Sequence, residues 1–222
     1  MNKSVYKEVN IQIGKTNLPG ELFVPYKAKG IIVFSHGSGS SRLSKRNQQV
    51  AAFLHEANFG TLLFDLLTSA EDSQIANRFN IELLTERLAG ATKWLEKLPE
   101  SNNYRIGYFG ASTGAACALQ AAADLPQVGS IVSRGGRPDL ASIRDLRNVK
   151  APVLLIVGSL DADVLELNKM AFNNLKCYKE LVVVKGASHL FEEKGTLDEV
   201  ARLALAWFEK HLKPISLTEK TG

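Results

Sequence analysis

The pentapeptide Gly110-Ala111-Ser112-Thr113-Gly114 constrains this chain more than any other feature, because of what flanks it. Residues 104–109, YRIGYF, form a short apolar run that reads as a buried strand. Residues 115–123, AACALQAAA, are mostly strong helix formers. A strand that passes through G-x-S-x-G directly into a helix predicts a nucleophile elbow. Such a turn forces the serine into a strained backbone conformation and needs glycine where strand and helix meet. Its hydroxyl then stands above the sheet at a helix N-terminus, where developing negative charge is favoured.

A nucleophilic serine needs a base, and the base needs an orienting acid. The chain has four histidines. His55 falls in a predicted amphipathic helix and His211 near the end of the last one, so both are expected at the surface or at helix ends. His36 and His189 each follow a strand, where the functional groups of parallel sheets gather. Behind such an elbow the chain order is serine, acid, histidine, which selects His189. The acid should then follow the apolar run at residues 151–157, where Gly158-Ser159-Leu160-Asp161-Ala162-Asp163 offers two aspartates. Asp163 has Glu166 three residues on and reads as a helix N-cap with a capping-box partner. Asp161 is therefore favoured as the acid.

Two backbone N–H donors are needed for the oxyanion. One is expected from Thr113 and the other from the loop after the strand at residues 30–34. In His36-Gly37-Ser38-Gly39 the second donor is placed at Ser38, with Gly37 the neighbouring alternative, and His36 is expected to brace the loop. This stretch lacks the G-x-x-x-x-G-K-[ST] spacing of a phosphate loop, and Gly107, Gly110 and Gly114 do not make a G-x-G-x-x-G fingerprint.

The stretches HGSGSSR, LLFDLLT, GYFGASTGAA, VSRGGRPDL, LLIVGSLD and GASHLFEE resemble those of small bacterial α/β-hydrolases of the dienelactone-hydrolase-like group, and the similarity runs through nearly all of the chain. Some relatives are fused to phosphoribosyltransferase domains. The resemblance implies an α/β-hydrolase fold, a mostly parallel sheet flanked by helices, and a Ser112–His189–Asp161 triad that cleaves a small carboxylic ester, thioester or lactone. It implies no cofactor and no metal. There is one departure from the pattern: dienelactone hydrolases proper carry cysteine as nucleophile, where this chain has Ser112. An acyltransferase, a cofactor-free haloperoxidase-like enzyme and a non-catalytic binding protein of the same fold are the alternatives.

The 222 residues suit one α/β domain with a sizeable core, followed by a loose tail at 214–222. Residues 5–13 and 18–24 are expected as an antiparallel strand pair at the leading edge. About 17 residues separate the strand ending near Ser133 from Ala151, too few for a large cap. The polar loop at 66–80 is the other candidate wall, and together these favour a shallow cleft and a small substrate. Neither a secretory h-region nor an apolar run of ~20 residues is present, and the two cysteines fall on separate elements, so a cytoplasmic protein is expected. The net charge of +4 is scattered and accompanies no nucleic-acid motif. Neither a nucleic acid nor a membrane is expected as a partner, and the oligomeric state is left open. Arg134, emerging beside Ser112, is expected either to pair with Asp65 or Asp139 or to grip an anion on the substrate.

Overall fold

The apolar runs become strands because most of them are covered by helices on both faces, the arrangement that makes a parallel strand read as a continuous hydrophobic stretch. The computed structural model describes residues 3–212. In chain order these form β1 (Val5–Ile13), β2 (Thr16–Val24), β3 (Ile31–Ser35), α1 (Lys45–Glu56), β4 (Gly60–Phe64), α2 (Ser69–Asp72), α3 (Ile81–Leu95), β5 (Ile106–Ala111) and α4 (Thr113–Asp124). There follow β6 (Val128–Arg134), α5 (Ile143–Asn148), β7 (Val153–Gly158), α6 (Ala162–Asn174), β8 (Lys179–Val184) and α7 (Thr196–His211). The eight strands make one sheet in the order β1-β2-β4-β3-β5-β6-β7-β8. β1 and β2 are antiparallel, β2 pairs antiparallel with β4, and every pairing from β4 through β8 is parallel.

Alternate residues of the central strands enter two separate cores. Ile31, Val33, Tyr108, Ile131, Val153 and Leu155 pack toward α3, α4, α5 and α6. Ile32, Phe34, Phe109, Val132, Leu154 and Ile156 pack toward α1 and α7. This two-faced burial fixes the register, since a one-residue slip would exchange the two sets. It also brings the C-terminal ends of β3, β5, β6, β7 and β8 to one edge, where the loops carrying the predicted site residues converge.

Several boundaries differ from expectation. The first hairpin is tighter, with β2 beginning at Thr16 and the chain turning at Gly14, whose φ is 59°. Arg134 is the last residue of β6 and not the first of the following loop. The wall at 66–80 is partly helical: Thr68 caps α2 in a reciprocal capping box with Glu71, and Ile75–Phe79 forms a 3-10 segment. Arg87 of α3 pairs with Glu71 at 2.8 Å and so ties this wall to the helix layer. Between β6 and β7 lie only Pro138–Leu140 and α5, so no cap domain is present. The expected tail at 214–222 lies outside the described residues.

Among the described residues no helix is long and apolar enough to cross a membrane, and no group of three or more His, Cys, Asp or Glu side chains could hold a metal ion. Both cysteines are free thiols. Cys117 is buried in α4, where desolvation pushes its pKa up to about 12 and leaves it unreactive.

Candidate active site

Ser112 stands between β5 and α4 with φ 52° and ψ −123°, a conformation that side chains seldom adopt. The glycines on either side make it feasible. A Cβ at Gly110 would lie 2.5 Å from Ala115 Cα, and one at Gly114 only 2.1 Å from the Ser35 carbonyl oxygen. Strand, helix and the end of β3 therefore meet at distances that only glycine tolerates. The segment after β6 completes the clamp: the Ser112 N–H donates to the Arg134 carbonyl at 3.3 Å, and the Arg137 N–H donates to the Ser112 carbonyl at 3.0 Å.

His189 and Asp161 come from different loops that are laced together. The Leu160 N–H donates to the Ala187 carbonyl at 3.0 Å, and the Gly186 N–H donates to Ser159 Oγ at 2.8 Å. This places His189 Nδ1 2.6 Å from Asp161 Oδ2. The carboxylate is the more sheltered partner, at 15% side-chain exposure against 36% for the imidazole. Gly135 connects this pair to the elbow, because a Cβ there would sit 3.6 Å from His189 Nδ1 and 3.0 Å from the His189 carbonyl oxygen. Among the described residues no hydrogen bond joins Ser112 Oγ to the ring. In substrate-free enzymes catalytic hydrogen bonds are often long and tighten when the substrate binds.

The reason for choosing between the aspartates needs correction. Asp161, not Asp163, occupies the N-cap position of α6, and its side chain makes no capping bond because it faces His189. Asp163 is an exposed first-turn residue, and Glu166 pairs with Lys169 at 2.7 Å instead of closing a capping box. Sequence spacing locates the cap two residues late; chain order admits both aspartates, and it is the 2.6 Å contact that sets Asp161 on His189.

Gly37 packs directly on the serine: a Cβ there would be 3.0 Å from Ser112 Cβ and 3.7 Å from Oγ. Ser38 and Thr113 meet as well, through a bond that the sequence did not suggest. The Ser38 N–H donates to the Thr113 side-chain hydroxyl at 2.8 Å. His36 is the brace it was expected to be. Its Nε2 accepts the Leu66 N–H at 3.0 Å, which puts the proton on Nδ1, 3.0 Å from the Gly37 carbonyl oxygen. Burial lowers its pKa and keeps it neutral. A small cavity opens beside this loop, lined by Leu66, Leu67 and Leu84 with Arg78 and Asp72 at its edge.

Three residues that shape the site escaped sequence reading. Glu193 accepts the Ser188 N–H at 3.0 Å and so fixes the loop ahead of His189. Phe191 holds a positive φ of 56°, unusual for a bulky residue. Arg46 pairs with Glu192 at 3.1 Å and brings α1 against the same loop. Arg46 acts through a contact with a segment remote in the chain, whereas Glu193 and Phe191 act within the stretch GASHLFEE, whose loop path the sequence does not spell out.

His55 lies in the last turn of α1, the helix-end position that was one of the two places expected for it, and it is half-buried there. Its Nε2 lies 2.7 Å from Thr61 Oγ1, its ring packs 4.1 Å from that of Phe23, and burial lowers its pKa to about 4. His36 shifts in the same direction. Both take up a proton more readily in the unfolded chain, so their contribution to stability is complete above pH 6.5 and is lost as the pH falls toward the folded values. Allowing for partial exposure, His55 alone is expected to cost on the order of 1 kcal/mol between pH 7 and pH 5. Urea midpoints across that range should fall for the wild type and fall less for His55→Gln. An equal slope in both would show that His55 titrates alike in the folded and unfolded chains.

Comparison with known proteins bears on the family and the fold. The family model described as "Dienelactone hydrolase family" matches residues 18–212. A crystal structure of a dienelactone hydrolase from Anabaena variabilis is 48% identical, with a TM-score of 0.91 over 95% of this chain and 100% of that one. Est1E from Butyrivibrio proteoclasticus, 15% identical, superposes with a TM-score of 0.78 over 91% of this chain and 98% of its own, a likeness of fold. Two Mycobacterium tuberculosis proteins, from strains CDC 1551 and H37Rv, each bear the name "Putative phosphoribosyl transferase". They are 54% identical over 208 residues, which is 93% of this chain and 46% of each relative, so the chain spans about half their length. With its matched segment covering β2 through α7, this chain belongs to the dienelactone hydrolase family.

Proposed function

We propose that this protein is a serine hydrolase that cleaves a small carboxylic ester, thioester or lactone through an acyl-enzyme. An ester-acting hydrolase is what its family membership implies. The observation that carries the serine mechanism is the 2.6 Å contact of His189 Nδ1 with Asp161, set beside a serine strained at φ 52° on the elbow. Ser112 Oγ attacks the carbonyl carbon while His189 Nε2 takes the hydroxyl proton. Asp161 holds the proton on Nδ1, so that Nε2 is free to accept, and stabilises the imidazolium that forms. As the tetrahedral intermediate collapses, the carbon–oxygen or carbon–sulfur bond to the leaving group breaks and His189 returns the proton to it. Water, deprotonated by His189, then releases the acid and restores the serine.

The oxyanion accepts from the Thr113 N–H at the start of α4 and from the Ser38 N–H, which exchanges the Thr113 hydroxyl for the developing charge. The hydroxyl keeps that amide satisfied and aimed at the elbow between turnovers. The phosphoribosyl transferase name belongs to relatives of which this chain covers less than half, and it adds no step at this site.

The test is a panel of purified-protein assays with 4-nitrophenyl acetate, 4-nitrophenyl butyrate, acetylthiocholine and dihydrocoumarin, combined with fluorophosphonate labelling and peptide mass spectrometry. Turnover of at least one substrate and a label on Ser112 are expected. Hydrolysis that persists with no label, or with the label on another residue, would overturn the assignment.

A further inference from the structure

Arg134 ends β6 on the face it shares with Val132, above the core formed with α1 and α7. It is only 6% exposed, yet its guanidinium makes no hydrogen bond and no ion pair among the described residues, and its Nε is buried without a partner. Neither expected carboxylate is available. Asp65 is held by Arg42 at 2.6 Å, and Asp139 is gripped by the fork of Arg137 at 2.9 and 2.8 Å. In the loops around the candidate triad, Asp161 is taken by His189 and Glu192 by Arg46. What Arg134 does have is the Phe191 ring, 5.9 Å from its Cζ, near the outer limit of a useful cation–π contact. Its surroundings otherwise work against the charge: burial, and then the positive charge of Arg46, lower its pKa to about 10. At that value the group is still a cation at neutral pH. Buried cations are ordinarily paired, and this one has a fork with nothing to grip.

Its backbone already belongs to the site. The Arg134 carbonyl accepts the Ser112 N–H, and the next residue, Gly135, lies against both His189 and Phe191. Phe191 itself is held at a positive φ two residues beyond the imidazole, a strain of the kind that gathers at functional sites. We propose that Arg134 is an anion-binding residue of this cleft, and that the ester cleaved at Ser112 carries a carboxylate or phosphate group that the guanidinium receives. A planar fork gives two parallel charge-assisted hydrogen bonds to either group, and Arg46 adds attraction while its own bond to Glu192 is kept. This inference rests on the serine-hydrolase reading for the word ester, but not for the anion site.

The experiment compares methyl 4-acetoxybenzoate, which is neutral, with 4-acetoxybenzoate and 4-acetoxyphenyl phosphate. The last two distinguish a carboxylate from a phosphate. The wild type is expected to favour one of the anionic esters in kcat/KM. In Arg134→Met the ratio of anionic to neutral kcat/KM should fall about tenfold or more, mainly through KM. Benzoate or inorganic phosphate should also inhibit wild-type cleavage of the neutral ester competitively, a readout that does not depend on a variant folding. Lack of inhibition by both, or an unchanged ratio in a folded Arg134→Met protein, would overturn the proposal. Calorimetric titration of Ser112→Ala with the same esters separates the two readings. Binding of an anionic ester that needs Arg134, without turnover by the wild type, would keep the anion site and defeat the hydrolase. Turnover of the neutral ester without any anion preference would do the reverse.

Discussion

Ser112→Ala is expected to abolish cleavage of 4-nitrophenyl acetate while leaving the protein folded. Removing the nucleophile of a coupled triad costs on the order of 10⁴–10⁶ in kcat. The fold should survive because Ser112 Oγ holds no hydrogen bond among the described residues, so its loss strands no buried partner. Alanine also keeps the Cβ, so the strain at φ 52° is carried over unchanged. Ser112→Gly makes the argument sharper. Glycine occupies this backbone region freely, and relief of the strain is worth roughly 1–3 kcal/mol. The glycine variant should therefore be as inactive as alanine and melt at a higher temperature than either alanine or wild type. A glycine variant no more stable than alanine would mean that the elbow stores no strain. Residual activity in both would mean that another group is the nucleophile.

Asp161→Asn is expected to lower kcat by about 10⁴, as loss of the triad acid does elsewhere. The reason is the 2.6 Å contact to His189 Nδ1. A carboxylate there can only accept, so Nδ1 carries the proton and Nε2 is left as the base. An asparagine can present its NH₂ instead, favouring the opposite tautomer with Nε2 protonated and unable to take the serine proton. Stability should change little, because the Asp161 side chain makes no capping bond. Asp163→Asn should behave in the opposite way. Its exposed carboxylate sits in the first turn of α6, where a negative charge is worth about 0.3–1 kcal/mol, so the variant should lose a small amount of stability and keep its activity. Paired measurements of kcat and melting temperature decide between the two. Activity that survives Asp161→Asn and collapses with Asp163→Asn would reverse the roles.

The loop at residues 36–39 shows how a sequence reading can omit a physical detail. Ser38 and Thr113 were both expected at the elbow and both are there, but the bond between the Ser38 amide and the Thr113 hydroxyl depends on a rotamer and a loop path that no spacing encodes. The same is true of Arg134. Its place at the end of β6 follows from the apolar run before it, whereas only the fold shows that the two carboxylates expected for it pair elsewhere, Asp65 with Arg42 and Asp139 with Arg137.

What the sequence by itself determined was everything set by local geometry and alternation. Strand, G-x-S-x-G and helix specify the elbow because only glycine fits at positions 110 and 114. Unbroken apolar runs specify strands buried on both faces, and their order places Ser112, Asp161 and His189 at one edge of the sheet. Tertiary structure alone decided which polar groups satisfy one another. His55 reads as a surface or helix-end residue, and only the fold brings Thr61 of β4 to its ring; Asp163 reads as a cap, although the N-cap of α6 is Asp161, which faces His189. Periodicity records which residues leave water. The partner a buried charge finds, or in the case of Arg134 fails to find within the fold, is settled only when segments remote in the chain compete for it.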